Sequence, residues 1–411
     1  MEQKWYFRFI MDNKILQTIG PTFKMLVAYT VLHLFGQSLL KKNIWTVGEK
    51  KTEARDNGYH FFNYVLKNHP EVNIYFIIAK GSPDEQKLPA SRVVHFGTFR
   101  HILYCLAAVN CIGGQAHANR PYYNIPAMKR VYDHLKRKGQ KLIWISHGVR
   151  KDKIKAFSPQ VTNYSLFTVA TQTEFKYYTK EFEIPENKIA LTGLCRFDNL
   201  HKFDSKRQIL VMPTFRSWLK PKDTSQDDVT KEQAEVFLTS PFFQYYIELL
   251  TNKQLQLLLE KEDIQLIFYL HYSFQAYRSQ FKGVNHPNIV IAGRNDYDVQ
   301  ALLKESMLLV TDYSSVFFDF CYMKKPVIYY HFDQEEYRNK HYKEGYWSYE
   351  RDGFGPVLKD CKNVVNEIYA SVKRGFALTP EYREKADRFF VPYDTNNCKR
   401  LYDSIIKLKD K

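Results

Sequence analysis

The sequence predicts an α/β protein made of two doubly wound, Rossmann-like halves, each on a parallel sheet. Three observations predict it. Short apolar runs alternate with helical patterns, as successive βαβ units require. The alternation occurs twice, on either side of a polar stretch at 196–206. The 411 residues suffice for about two domains of ordinary size.

The elements follow in order. Residues 1–42 read as an apolar, helical extension. Within it, 25–40 contains no Asp, Glu, Lys or Arg, yet it is shorter than the ~20 residues that span a bilayer. Lys24, Lys41 and Lys42, with Trp5, Tyr6 and Trp45, would suit a helix lying on a membrane surface. A helix packed on the core is the equal alternative. In the first half, 43–205, strands are expected at 43–47, 73–79, 109–113, 141–146, 166–170 and 188–193. Helices are expected there at 58–68, 99–107, 125–138 and 174–182. In the second half, 206–378, strands are expected at 208–212, 264–270, 288–292, 307–310 and 327–330. Its helices are expected at 231–250, 296–303, 315–323 and 362–373. The polar stretch at 196–206 reads as a hinge, 220–228 as an exposed loop, and 379–411 as two helices.

Composition narrows the partner. The chain is 45% hydrophobic and 25% charged, an ordinary globular balance. Its net charge of +16 points to an anionic partner: a nucleotide, an anionic polymer or an acidic membrane surface. Nucleic acid is disfavoured, because the basic residues are scattered and no zinc-finger or RNP-like motif is present. The 16% aromatic content fits sugar or membrane contact, or a coding bias alone. Six cysteines form no CxxC pair, and several lie in apolar runs. They read as buried thiols of a reducing compartment. No metal-ligand cluster stands out, so no obligatory metal or cofactor is expected.

Five motifs fall at strand ends, where open α/β sheets bind ligands. In Trp144-Ile145-Ser146-His147-Gly148, a strand runs directly into a histidine. Imidazole titrates near neutrality and can take a proton from a hydroxyl. Gly148 allows close approach, and Arg150, Lys151 and Lys153 could hold phosphate. The plainer reading is a histidine capping a strand. Phe268-Tyr269-Leu270-His271 repeats the arrangement in the second half, and the two histidines could face one cleft. In Met212-Pro213-Thr214-Phe215-Arg216, the guanidinium could clamp a pyrophosphate or simply lie beside a turn. In Thr192-Gly193-Leu194-Cys195-Arg196-Phe197-Asp198, a structural Arg196–Asp198 pair is expected. The fifth run, Val310-Thr311-Asp312-Tyr313-Ser314-Ser315, leads from a strand into a helix that carries Asp319. Hydroxyls, backbone N–H groups and a helix N-terminus converge there, which suits a phosphate; an ordinary helix cap is the alternative.

Taken together, the chain resembles the CDP-glycerol glycerophosphotransferases, which prime or polymerise teichoic acids and some bacterial capsules. The long match runs from Val310 through Asp319 and Lys325-Pro326-Val327 to Asp333-Gln334-Glu335-Glu336-Tyr337. Glu53-Ala54-Arg55-Asp56-Asn57-Gly58-Tyr59, Ser146-His147-Gly148, Gly193 with Arg196 and Asp198, Pro213-Thr214-Phe215-Arg216 and Leu270-His271 match in order. The resemblance covers roughly residues 43–375. It implies a GT-B-like fold and a peripheral enzyme on the cytoplasmic face of the bacterial membrane. The donor would be CDP-glycerol or a related CDP-alditol. The acceptor would be a polyprenyl-diphosphate-linked saccharide, and CMP would leave. On that reading His147 is the base and His271 stabilises or protonates phosphate oxygens. Thr311, Asp312, Ser314, Ser315, Asp319 and Arg216 bind the donor, while Gly148, Arg150, Lys151 and Arg196 contact acceptor or phosphate. Val149 and Arg150 replace the family's usual Thr-Pro after His-Gly, and Tyr272 stands where Pro often follows the second histidine. The acceptor and the alditol therefore stay open. A nucleotide-sugar glycosyltransferase on the same scaffold and a non-catalytic subunit of a polymer-export complex are the rival readings.

Overall fold

The structure, a computed structural model, describes residues 2–114, 119–153, 163–221, 223, 228–294 and 296–408, with side chains from Gln17 onward. The chain divides into two compact units. Unit 1 comprises Met1–His147, Ala156–Asp198 and Asp394–Lys411; unit 2 comprises Gly148–Lys155 and Asn199–Tyr393.

Unit 1 holds seven strands: β1 (Trp45–Gly48), β2 (Ile74–Ile78), β3 (Val93–His95), β4 (Asn110–Gly113), β5 (Lys141–Trp144), β6 (Leu166–Val169) and β7 (Ile189–Leu191). All pair in parallel, in the order β3-β2-β1-β4-β5-β6-β7. Trp45 of β1 faces Ile74 on one side and Asn110 on the other. Unit 2 holds β8 (Gln208–Val211), β9 (Gln265–Tyr269), β10 (Ile289–Ala292), β11 (Leu308–Thr311), β12 (Val327–Tyr330) and β13 (Val357–Leu358). These are parallel too, in the order β10-β9-β8-β11-β12-β13. Each sheet starts at its centre, builds one way and then reverses. The reversal falls at β1/β4 in unit 1 and β8/β11 in unit 2, the crevice positions where such sheets take ligands.

Burial explains the strand sequences. In unit 1 successive residues of β5 go to opposite faces, with Trp144 in one core cluster and Ile143 in the other. Both faces are covered, as parallel sheets require. On one face Met25, Ala28 and Leu32 of the helix Glu2–Phe35 pack with Ile102, Cys105 and Trp144. On the other, Phe61 and Phe62 of the helix Asn57–Asn68 pack with Leu401 and Ile405 of the helix Asn397–Lys407. All six cysteines are free and buried.

Several details differ from expectation. Strands β3 and β13 sit at sheet edges and are too short to show as sequence patterns. The single helix expected at 231–250 is two, Lys231–Leu238 and Pro241–Thr251. Ser240 caps the second by accepting from the Phe243 N–H, and Pro241 occupies its first turn. A further helix, Lys253–Lys261, follows. The two C-terminal helices part company: Pro380–Phe389 lies in unit 2 and Asn397–Lys407 in unit 1. The loop expected at 220–228 falls mostly outside the described residues, as do the side chains of Trp5 and Tyr6. The N-terminal helix serves the core on one face and leaves Ile19, Phe23, Leu26, Leu34 and Phe35 exposed on the rest. Among the described residues no helix is long and apolar enough to cross a membrane.

Candidate functional site

In unit 1 the polar groups gather where β1, β5 and β7 end. Glu49 follows β1 directly and is buried. Its carboxylate accepts the backbone N–H groups of Arg55 (3.0 Å), Asp56 (3.0 Å) and Tyr59 (2.7 Å). Those bonds fix the start of the helix Asn57–Asn68. A side chain at position 58 would come within 3.0 Å of Glu49, so the approach needs Gly58. Burial, then the neighbouring Asp56, push the Glu49 carboxyl up to about 8, against those three N–H donors.

Asp56 caps the same helix, accepting from the Asn57 N–H at 2.8 Å. Its Oδ2 meets Nδ1 of His147 at 2.5 Å, and its Oδ1 accepts from Nη1 of Arg196 at 2.7 Å. Arg196 also donates to the His147 carbonyl at 2.6 Å. Asn57 ties in the same strand ends: its Nδ2 donates to the Ser146 carbonyl and its Oδ1 accepts from the Arg196 N–H at 3.0 Å. Burial alone would raise the Asp56 carboxyl. The Arg196 guanidinium and His147 outweigh it and hold the carboxyl well below the usual range. An ionised partner on Nδ1 requires the proton there. The lone pair of neutral His147 is then on Nε2, in a ring whose side chain is 59% exposed. This is the tautomer of a general base.

The expected Arg196–Asp198 pair does not form. Arg196 serves Asp56, and Asp198 caps the helix Asn397–Lys407, accepting from the N–H groups of Asn397 (2.8 Å) and Cys398 (2.9 Å). Gly193 lets that helix close in. Its φ is +77°, and a Cβ there would sit 1.7 Å from Oδ1 of Asn397.

In unit 2 His271 follows β9. Its Nδ1 accepts the Ser273 N–H at 3.2 Å, and its ring stacks on Phe215 at 4.7 Å. An Nδ1 that accepts leaves the proton on Nε2. His271 is thus fixed as a donor, the opposite of His147.

Arg216 is not exposed at all. Nε and Nη2 form a two-pronged pair with Asp333 at 2.6 and 2.9 Å, and Nη1 donates to Asp312 at 2.9 Å and to the Thr214 carbonyl at 2.6 Å. Asp312 also accepts the N–H groups of Thr214 (2.7 Å) and Tyr313 (2.6 Å). Thr311 donates to the Met212 carbonyl at 2.7 Å. Burial would lower the Arg216 pKa, but the two carboxylates raise it above its ordinary value. The expected pyrophosphate clamp is therefore an internal knot, joining the ends of β8, β11 and β12. Thr311, Asp312 and Asp319 are all buried. Ser314 and Ser315 are the partly exposed members of the run, at the start of the helix Val316–Tyr322.

Of the basic residues after His147, Lys151 is turned inward and Lys153 is exposed. Lys151 is 3% exposed and paired with Asp152, which accepts from Arg338 at 2.7 Å. Burial lowers the Lys151 pKa despite that partner. Arg150 is half-buried, and Gly148 begins the unit 2 segment. Asp56, Glu49, Asn57 and Asp333 are the members that sequence reasoning passed over. For Asp56, Asn57 and Asp333 the signal was present in the matched Glu53–Tyr59 and Asp333–Tyr337 runs; Glu49 lies outside both.

A profile of the CDP-Glycerol:Poly(glycerophosphate) glycerophosphotransferase family matches residues 28–407. The minor teichoic acid biosynthesis protein GgaB of Bacillus subtilis (strain 168) is 29% identical over 94% of the chain. The chain spans 42% of that relative's length. The teichoic acid ribitol-phosphate primase of Bacillus spizizenii is 23% identical, over 66% of each protein. Among solved structures, a histidine-to-alanine variant of the wall teichoic acid polymerase TagF superposes with a TM-score of 0.67, at 18% identity over 97% of this chain and 98% of that one. Another TagF variant, soaked with CDPG, gives 0.64 over 97% of both chains. The fold is thus TagF-like and GT-B-like, and the chain belongs to the CDP-glycerol:poly(glycerophosphate) glycerophosphotransferase family.

Proposed function

We propose that the chain transfers an alditol phosphate, glycerol phosphate first among them, from a CDP-linked donor to a hydroxyl of a lipid-linked acceptor in teichoic acid or capsular polymer synthesis. The observation that carries the reading is the Asp56–His147 pair, which fixes a surface imidazole as a base. His147 Nε2 takes the proton of the acceptor hydroxyl. The hydroxyl oxygen attacks the phosphorus distal to cytidine, the bridging P–O bond breaks, and CMP leaves. His271, protonated on Nε2, donates to the phosphate oxygens that gain charge. Ser314 and Ser315 hold the donor diphosphate by hydroxyl donation. Asp56 and Arg196 position His147.

A polyprenyl-diphosphate-linked saccharide is the proposed acceptor class. An anionic membrane surface on the cytoplasmic face is the proposed place of work. The exposed apolar face of the helix Glu2–Phe35 and the net charge of +16 support that placement. The test is a donor screen: CDP-glycerol, CDP-ribitol and UDP-sugars, each offered with lipid-linked acceptor, with CMP and UDP quantified and the product weighed by mass spectrometry. CMP release with a product heavier by one alditol phosphate is expected. UDP release without CMP would sink the reading in favour of sugar transfer.

A further inference from the structure

The helix Asn57–Asn68 divides the work of its cap between two residues. A capping side chain ordinarily accepts the N–H of the second or third helical residue. Asp56 holds the cap position, yet its carboxylate accepts the N–H of the first, Asn57, at 2.8 Å. Its other bonds turn away from the helix, to His147 and Arg196. The third helical N–H, that of Tyr59, goes to Glu49 at 2.7 Å.

Glu49 lies outside the helix, at the end of β1, and is 4% exposed. Its Oε1 accepts from Tyr59 at 2.7 Å and from Asp56 at 3.0 Å. Its Oε2 accepts from Arg55 at 3.0 Å and from Asp56 at 3.1 Å. The Asp56 N–H therefore sits between both oxygens. One carboxyl group fixes the Asp56 main chain and also supplies the acceptor that the Asp56 side chain would otherwise give the helix.

We propose that Glu49 is a positioning residue of the transfer reaction: it caps the helix in place of Asp56, and so leaves the Asp56 carboxylate to hold the His147 proton on Nδ1. The inference rests on the reading of His147 as the base. It is a competition between donors for one carboxylate. A first-turn N–H without a partner is costly when buried, and the cap residue is the acceptor such a turn ordinarily uses. Without Glu49, the Tyr59 N–H draws the Asp56 carboxylate toward the helix and away from the ring. A released neutral imidazole reverts to the Nε2–H form that water favours. The lone pair then leaves Nε2, the atom that acts as the base.

The test reads the ring directly. Nitrogen NMR of the histidine-labelled full chain separates Nδ1–H from Nε2–H rings, and the His147 signals are those missing from His147→Ala. Spectra and kcat are taken at about pH 9, where a Glu49 carboxyl pushed up to about 8 by burial and by Asp56 is ionised. Glu49→Met keeps the reach of the side chain and removes both acceptor oxygens. It should turn His147 toward Nε2–H and lower kcat about 10²-fold, with the KM for CDP-glycerol unchanged. Glu49→Gln has one acceptor oxygen for the N–H groups of Arg55, Asp56 and Tyr59, and should fall between Glu49→Met and the unaltered chain. In an Asp56→Asn background Glu49→Met should cost no further kcat, because both residues act through one ring. A folded Glu49→Met chain that keeps the Nδ1–H ring overturns the assignment, and so does a loss that repeats in full on Asp56→Asn. If circular dichroism shows that Glu49→Met does not fold, Glu49→Gln decides: a ring and a kcat equal to those of the unaltered chain overturn it. Full kcat in His147→Ala would overturn the base reading instead, and the tautomer result would stand apart from it.

Discussion

His147 and His271 both follow a strand end in a doubly wound sheet, yet their Nδ1 atoms meet opposite partners. His147 faces the Asp56 carboxylate, and His271 faces the Ser273 backbone N–H. The first partner demands a proton on Nδ1 and the second forbids one. Two rings of the same chemistry thus carry their proton on opposite nitrogens, His147 on Nδ1 and His271 on Nε2. The Arg–Asp pairs of the two units differ in the same instructive way. In unit 1 Asp56 divides its oxygens between Arg196 and His147, so the pair serves a surface ring. In unit 2 Arg216 is enclosed by Asp312 and Asp333 and serves the fold. An arginine at a strand end is thus no evidence of ligand binding until its carboxylates have been found.

The comparison can be broken at four points. His147→Ala should cost about 10³-fold in kcat, the scale of a lost general base, with CMP binding retained. His147→Gln should be as poor, because an amide nitrogen has no basic lone pair. Arg216→Met should destabilise the chain by about 3–5 kcal/mol, since two buried carboxylates lose their partner. A urea titration reads this. A variant of full stability with a raised KM for the CDP donor would restore Arg216 as a ligand contact.

Asp56→Asn should lower kcat about 10²-fold by releasing the tautomer, in a chain that still folds. It also carries a pH signature. The folded Asp56 carboxyl is held below its ordinary value of ~3.9, so its stabilising contribution is full above that pH and fades as pH falls. The gap in urea midpoint between the unaltered chain and Asp56→Asn should narrow from about pH 5 down to about pH 2. A gap that widens on acidification would contradict the assignment. The smallest effect is expected for His271→Gln, whose amide keeps a donor near the Nε2 position: about 10-fold in kcat. Equal losses for His147→Gln and His271→Gln would dissolve the distinction between the two rings.

Much of the fold was legible because parallel strands are buried on both faces and read as continuous apolar runs. Edge strands β3 and β13 were not, at three and two residues, although the three-residue edge strand β7 was. The break at Ser240-Pro241 was legible in principle, as a cap followed by proline, but the apolar period ran through it. At the site, His147 and His271 announced themselves by position. Asp56 did not. It lies 91 residues from His147 in sequence, and only the adjacency of β1, β4 and β5 brings a loop after the first to a loop after the last. Lys151 and Arg216 misled for the converse reason: a sequence shows a cation but not the carboxylate that encloses it.

The division of the last two helices has a consequence for biosynthesis. The helix Asn397–Lys407 closes one face of unit 1 and is capped by Asp198, three residues after Cys195 and two after Arg196. A ribosome delivers every strand of unit 1 early and this helix late, after all of unit 2. Domains generally fold in the order they emerge. Here the half that emerges first must wait for the helix that covers one of its faces, so unit 1 completes its core only after all of unit 2 has been made.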